Sequence, residues 1–225
     1  NCVTRKGVLL LEKIKVAIIG FGNVGREVLP AVSESYDMEV AGIVLRDPLK
    51  VESVKRVVGE IPVVTDIVKL GKVDVAILCI PSRAIMKVAP KYLKMGINTI
   101  DSFDIHGDPV IDLRKSLDKI GKDNNSVAII SAGWDPGSDS IVRGLMEVIA
   151  PRGITYNNFG PGMSLGHTVV VKEIEGVKDA ISMTIPEGTG LHKRLVYVQL
   201  EEGYDFDKIS KMIKIDPYFI NDETH

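Results

Sequence analysis

The sequence predicts an α/β fold: a doubly wound parallel sheet followed by a smaller α+β domain. Three observations predict it. Between Lys13 and about Ala150, short β-branched runs alternate with longer stretches whose apolar residues recur at helical spacing, the rhythm of strands joined by crossover helices. Several of those short runs are continuously apolar, as expected where helices cover both faces of a sheet. After Pro151-Arg152-Gly153 the rhythm changes to longer strand-like runs separated by glycine-bearing loops.

Taken in order, the expected strands of the first domain are Lys15-Ile19, Glu39-Val44, Val63-Val64, Val73-Ile80, Asn98-Ile100 and Val127-Ser131. The expected helices between and after them are Val24-Val32, Leu49-Val58, Ile85-Met95, Ile111-Ile120 and Asp139-Ile149. In the second domain, Ile181-Ile185 and Leu195-Leu200 read as strands and Phe206-Ile213 as a helix. We therefore expect a dinucleotide-binding domain over 13–150 and a substrate-binding and dimerisation domain over 151–225. Residues 1–12 are expected to be an extra segment ahead of the first strand. The sequence ends at Asp222-Glu223-Thr224-His225 with no closing helix, so the second domain is expected to be incomplete.

Composition narrows the function. The 225 residues carry 28 Lys and Arg against 30 Asp and Glu, a net charge of -2 with no block of like charge, so neither nucleic acid nor a membrane is an expected partner. A small molecule is. Cys2 and Cys79 lie far apart and His106, His167, His192 and His225 show no ligand spacing, which points away from a disulfide framework or a metal site. That cysteine usage fits the cytoplasm. The apolar run Val8-Leu9-Leu10-Leu11 is too short to span a membrane or to form the core of a signal peptide.

Gly20-Phe21-Gly22-Asn23-Val24-Gly25 matches G-x-G-x-x-G, and it sits between an apolar strand and a helix, the context the pattern needs. Such glycines let the backbone turn tightly and bring N–H groups against a pyrophosphate, while the helix N-terminus adds partial positive charge. The expected fold is thus of the Rossmann type. At the end of the second strand, Leu45 is followed by Arg46 and Asp47. Arg46 can pair bidentately with a 2′-phosphate and so favours NADP; the alternative is that Arg46 is a solvated loop residue and Asp47 takes the ribose 2′-hydroxyl of NAD. Cys79-Ile80-Pro81-Ser82 ends the fourth strand, where it should line the nicotinamide side. Cys79 reads as a small buried hydrophobe, since no basic residue adjoins it in sequence.

Two acidic loops follow the next strands. Asp101-Ser102-Phe103-Asp104 ends the fifth, and Ser131-Ala132-Gly133-Trp134-Asp135-Pro136-Gly137 follows the sixth. Carboxylates at one edge of a sheet can receive a cationic amine, with the indole of Trp134 beside the cofactor; the same residues can also simply cap helices.

These stretches, with Asn158-Phe159-Gly160-Pro161-Gly162-Met163-Ser164-Leu165-Gly166-His167, Asp179-Ala180-Ile181-Ser182-Met183-Thr184-Ile185-Pro186 and His192-Lys193-Arg194, resemble the meso-diaminopimelate dehydrogenases. The resemblance runs from about Lys13 to the last residue, and the Gly-Trp-Asp-Pro-Gly and Gly-Pro-Gly-Met-Ser-x-Gly-His strings are its most specific parts. It implies reversible, NADP-linked deamination of the D-configured centre of meso-2,6-diaminopimelate to L-2-amino-6-oxopimelate, in lysine biosynthesis, by a homodimer. It further implies that Asp104 and Asp135 contact substrate near the reacting amine, with Trp134 and Phe159 nearby, and that one of the two aspartates handles the proton. Leu165, Gly166 and His167 would form a loop over the substrate, His167 as a structural hydrogen-bonding group. Thr184 and Arg194 would hold a carboxylate. Ser102, Phe103 and Asp104, and Ala132, Gly133, Trp134, Asp135 and Pro136, would join the glycine loop in cofactor contacts.

Two departures from the family pattern stand out. Family members often carry two adjacent basic residues where this chain has Arg46-Asp47, and they continue past His225 with further strands, a helix, and a His and an Asn that touch substrate. Rival readings are another NAD(P)-dependent oxidoreductase of this architecture, such as a cyclic imine reductase, or a non-catalytic nucleotide-binding fragment.

Overall fold

The computed structural model describes residues 3–5, 8–10, 12–105, 107–133, 138–153, 161–188 and 191–225. Trp134, Asp135, Pro136 and Phe159 lie outside the described residues. By contact the chain divides into two units, Asn1–Ser140 and Ile141–His225.

In the first unit, β1 (Val3–Arg5) and β2 (Val8–Leu10) pair as an antiparallel ribbon. The main sheet then runs through β3 (Ile14–Ile19), α1 (Asn23–Ser33), β4 (Met38–Val44), α2 (Val51–Val58), β5 (Val63–Val64), β6 (Val75–Leu78), α3 (Ser82–Leu93), β7 (Asn98–Asp101), α4 (Asp108–Asn124) and β8 (Ala128–Ile129). Its order is β5-β4-β3-β6-β7-β8, with every neighbouring pair parallel. The order reverses between β3 and β6. At such a switch point the two connections leave in opposite directions and open a crevice at the carboxyl ends of the strands.

The strands are apolar on both faces because both faces are covered. Ile18, Ile43, Leu45 and Val63 form one buried cluster, against which Val28 and Leu29 of α1 and Val51, Val54 and Val58 of α2 pack. Ile85, Ala89 and Leu93 of α3 and Leu113 and Leu117 of α4 are buried as well, and those two helices pack on each other. This is the expected doubly wound sheet, with β6 and β8 shorter than their apolar runs.

The division between units falls inside α5 (Ser138–Ile149), ahead of the change of rhythm at Pro151. The second unit contains β9 (Gly162–Met163), α6 (Leu165–Lys172), β10 (Val177–Gly188), β11 (Leu191–Leu200), α7 (Phe206–Lys214) and β12 (Glu223–Thr224). Its sheet has the order β12-β11-β10-β9, with β10 and β11 a long antiparallel hairpin and β12 parallel to β11. Both hairpin strands exceed the apolar runs that announced them, because backbone pairing continues through charged residues such as Lys178 and Lys193. At α7 the Asp205 side chain accepts the Lys208 N–H at 2.8 Å, which caps the helix, and Ile209 and Ile213 bury its inner face.

One expectation is overturned. Leu165, Gly166 and His167 do not form a loop; they open α6. The run Thr168-Val169-Val170-Val171 is β-branched and a poor helix former, but Val170 and Val171 are buried and α6 packs on β10. Packing therefore overrides propensity. Two hydrogen bonds fix the docking: Thr168 Oγ1 accepts the Ser182 N–H at 3.0 Å, and the Ser164 N–H donates to the Ser182 carbonyl at 2.8 Å.

Candidate active site

At the switch point the three glycines have separate tasks. Gly20 has φ +92, and a Cβ there would meet the Cys79 carbonyl oxygen at 2.5 Å, so the loop hugs the end of β6. A Cβ on Gly25 would lie 2.4 Å from the Gly20 carbonyl oxygen, so α1 begins hard against the turn. A Cβ on Gly22 would meet nothing within 4 Å, which leaves that backbone open for an approaching anion. The N-cap of α1 is Gly22, no side chain caps the helix, and no acidic residue sits in its first turn. Its leading N–H groups thus face outward with no competing carboxylate, as a pyrophosphate requires.

The end of β4 separates its two candidate nucleotide readers. The Asp47 carboxylate accepts the Leu49 N–H at 3.0 Å and caps the turn at Pro48–Lys50, which commits it locally. Arg46 is exposed beside it. The side chains of Leu45 and Phe103 are buried in the core, so these two positions offer only backbone to a ligand. Cys79 packs under the glycine loop, and burial pushes its thiol up to about 11, which keeps it protonated and inert.

Across β6 and β7 the structure brings Ser82 and Asp104 together. The Ser82 hydroxyl donates to Asp104 Oδ1 at 2.6 Å, and the Asp104 N–H donates back to Ser82 Oγ at 3.2 Å. The reciprocal pair links the first residue of α3 to the loop after β7. Neither Asp101 nor Asp104 caps α4, whose N-cap is Gly107.

Sequence reasoning missed Asp101 as a functional candidate. It is 2% exposed; its Oδ1 accepts the N–H of Phe103 at 3.0 Å and of Ser131 at 3.2 Å, and its carbonyl accepts the Ala132 N–H at 2.7 Å. Burial raises its pKa from the ordinary 3.8, opposed by those two backbone bonds. The folded state therefore holds this proton more tightly than the unfolded chain. Its contribution to stability is complete below 3.8 and is lost as pH rises through the raised value. Relative to the parent, Asp101→Asn is accordingly expected to gain stability with rising pH across that window. Urea midpoints taken at a series of pH values check this, and a pH-independent difference would contradict it.

In the second unit, Thr184 and Arg194 are direct cross-strand partners, and Arg194 Nη1 donates to Thr184 Oγ1. Arg194 Nε also donates to Asp222 Oδ2 at 2.6 Å, with the two side chains only 11% and 19% exposed. Asp222, which no sequence pattern announced, lies just ahead of β12, and the pairing of Arg194 with Thr224 brings it alongside. On α6, the His167 ring spans Ser164 Oγ at Nδ1 and the Tyr218 carbonyl at Nε2, each at 2.8 Å, and meets the Tyr218 and Phe219 rings edge-on. A carbonyl can only accept, so Nε2 carries a proton and donates to Tyr218. Gly166 lies in the first turn of the same helix. Lys193 is tied to Glu187 at 2.7 Å and Glu223 at 3.4 Å, away from these groups.

A parallel sheet in this order, with a glycine loop and a bare helix N-terminus at its switch point, defines a dinucleotide-binding protein of the Rossmann class. Residues 14–100 match the model of the oxidoreductase family with NAD-binding Rossmann fold, and residues 133–191 match that of the diaminopimelic acid dehydrogenase C-terminal domain. The chain is 55% identical over 96% of its length to the meso-diaminopimelate D-dehydrogenase of Bacteroides fragilis, of which it covers 71%. It belongs to the meso-diaminopimelate D-dehydrogenase family. Among solved structures it is similar, at 29% identity and a TM-score of 0.74, to the Corynebacterium glutamicum diaminopimelate dehydrogenase in complex with diaminopimelate, covering 96% of this chain and 71% of that one. An engineered D-amino acid dehydrogenase bound to NADP+ gives the same TM-score and identity, with coverage of 95% and 70%.

Proposed function

We propose that this chain catalyses the reversible, NADP-dependent oxidative deamination of meso-2,6-diaminopimelate at its D-configured centre, giving L-2-amino-6-oxopimelate. The observation that carries the reading is the switch-point edge, where an open glycine loop stands beside the bonded Ser82–Asp104 pair, in a chain 55% identical to a dehydrogenase of that name. When bound, the nicotinamide supplies the hydride acceptor. The backbone of Gly20-Phe21-Gly22-Asn23-Val24-Gly25 would hold its pyrophosphate and Arg46 its 2′-phosphate, with Ile80, Pro81, Ser102, Ala132 and Gly133 along the edge.

What the chain's own residues do follows from their chemistry. Asp104, oriented by Ser82, receives the substrate ammonium and presents the adjacent C–H; Asp135 is assigned to the same amine, with Trp134 and Phe159 beside it. One of the two carboxylates takes the ammonium proton, releases it to solvent, and can then take a proton from the water that adds to the imine and return it to the departing ammonia. Thr184 and Arg194 take a carboxylate of the substrate through guanidinium N–H groups other than the Nε bonded to Asp222. His167, with both ring nitrogens engaged, orders the start of α6 and does no acid–base work. We further propose a cytoplasmic homodimer as the working form.

The test is meso-diaminopimelate-dependent reduction of NADP+, followed by nicotinamide absorbance, with the LL isomer as control. Turnover of the meso form alone is expected. NADPH binding without turnover would favour a nucleotide-binding role, and turnover of a cyclic imine instead would favour a reductase. In the same assay Arg46→Ala is expected to weaken NADPH about 10- to 100-fold while leaving NADH nearly unchanged, the loss of hydrogen bonds to a charged group. Equal loss with both nucleotides would remove Arg46 from the 2′-phosphate.

A further inference from the structure

We propose that Asp101 is the positioning residue that locks the two acidic loops together, acting through backbone amides and never touching substrate. Its Oδ1 accepts the N–H of Phe103 at 3.0 Å, in the loop that carries Asp104. The same oxygen accepts the N–H of Ser131 at 3.2 Å, 30 residues further on, in the loop that leads to Trp134 and Asp135. The Ala132 N–H closes the arrangement on the Asp101 carbonyl at 2.7 Å. Two of these three hydrogen bonds therefore join the end of β7 to that of β8, and the third shapes the loop after β7.

Two features argue that this junction exists for geometry more than for stability. Ser131 has φ +57, a left-handed conformation that a residue with a Cβ adopts at a cost, and its N–H is the one Asp101 captures. Asp101 Oδ2 is buried with no hydrogen-bond partner among the described residues. A buried carboxylate oxygen without a donor is unfavourable, and an apolar side chain would fill the place more cheaply were folding the only requirement. What an apolar side chain lacks is an acceptor shared between two loops. Fixing the backbone at Phe103, Ser131 and Ala132 fixes where the two loops start, and small displacements of catalytic groups are costly in rate.

The kinetic consequence rests on the dehydrogenase reading; the structural consequence does not. Trp134 is the sole tryptophan of the chain, two residues beyond Ala132, so its fluorescence reports that loop directly. Asp101→Ala in the full chain is expected to bind NADPH with near-parental affinity, to shift Trp134 emission to the red with readier acrylamide quenching, and to lose about 100-fold in kcat/KM. Asp101→Asn keeps the Oδ1 acceptor and is expected to restore the parental emission and most of the kcat/KM. The proposal is overturned if Asp101→Ala keeps parental emission and kinetics, if it loses NADPH binding through failure to fold, or if Asp101→Asn fails as badly as alanine. Should the parent chain not turn over meso-diaminopimelate, the functional reading fails by itself, while the tryptophan signal still judges Asp101.

Discussion

Gly25→Ala is expected to lower stability by about 1–3 kcal/mol and to weaken NADPH binding about tenfold or more. Two effects oppose each other at this position. Helix propensity alone would reward alanine inside α1 by about 1 kcal/mol. The new Cβ, however, would stand 2.4 Å from the Gly20 carbonyl oxygen, and Gly20 is itself pressed against the Cys79 carbonyl. Neither contact is with a flexible side chain that can swing away, so the backbone must move and overlap wins. Gly22→Ala separates the two consequences. Its Cβ has open space, so stability should change little while nucleotide binding falls, because the space it fills is where a pyrophosphate would approach. Thermal melts beside NADPH fluorescence titrations measure both. A more stable Gly25→Ala chain with parental affinity would refute the close-packing account.

Arg194→Leu is expected to raise the KM for meso-diaminopimelate about 100-fold or more, within the roughly 2–5 kcal/mol lost when one partner of a desolvated charge pair is removed. NADPH affinity should stay near the parental value. Stability should fall as well, by about 3 kcal/mol, because Asp222 would remain poorly solvated with no cation beside it. Arg194→Lys makes the sharper comparison. Lysine keeps the charge but is a point donor, and it cannot face Thr184, Asp222 and a substrate carboxylate at once as a planar fork does. We expect it to recover stability more than KM. A parental KM in both variants would exclude Arg194 from substrate binding.

Much of the first domain was legible because its signals are local. Continuous apolar strands, helical spacing between them and the glycine loop after β3 each act within a few residues. Less was legible in the second unit. The loop expected at Leu165, Gly166 and His167 came from the family resemblance, and the packing of Val170 and Val171 with the Thr168–Ser182 bond makes those residues the start of α6 instead. For Arg46 against Asp47, two adjacent residues allowed opposite nucleotide choices. The Asp47 bond to the Leu49 N–H supplied a reason for the aspartate that has nothing to do with ribose.

The linear sequence by itself determined the Rossmann class, the glycine loop and the family. These rest on residue identity and short-range spacing, which a chain carries before it folds. The tertiary structure alone decided which carboxylates are partners and which are struts. Asp101 and Asp104 are three residues apart and chemically identical, yet one is buried, gathering amides from two loops, and the other is exposed and bonded to Ser82. Asp222 is 28 residues from Arg194 and bonds to it because β12 lies beside β11. The physical reason is the same in each case: the role of a carboxylate is set by its burial and by the donors around it, and both are properties of neighbours brought together from distant parts of the chain.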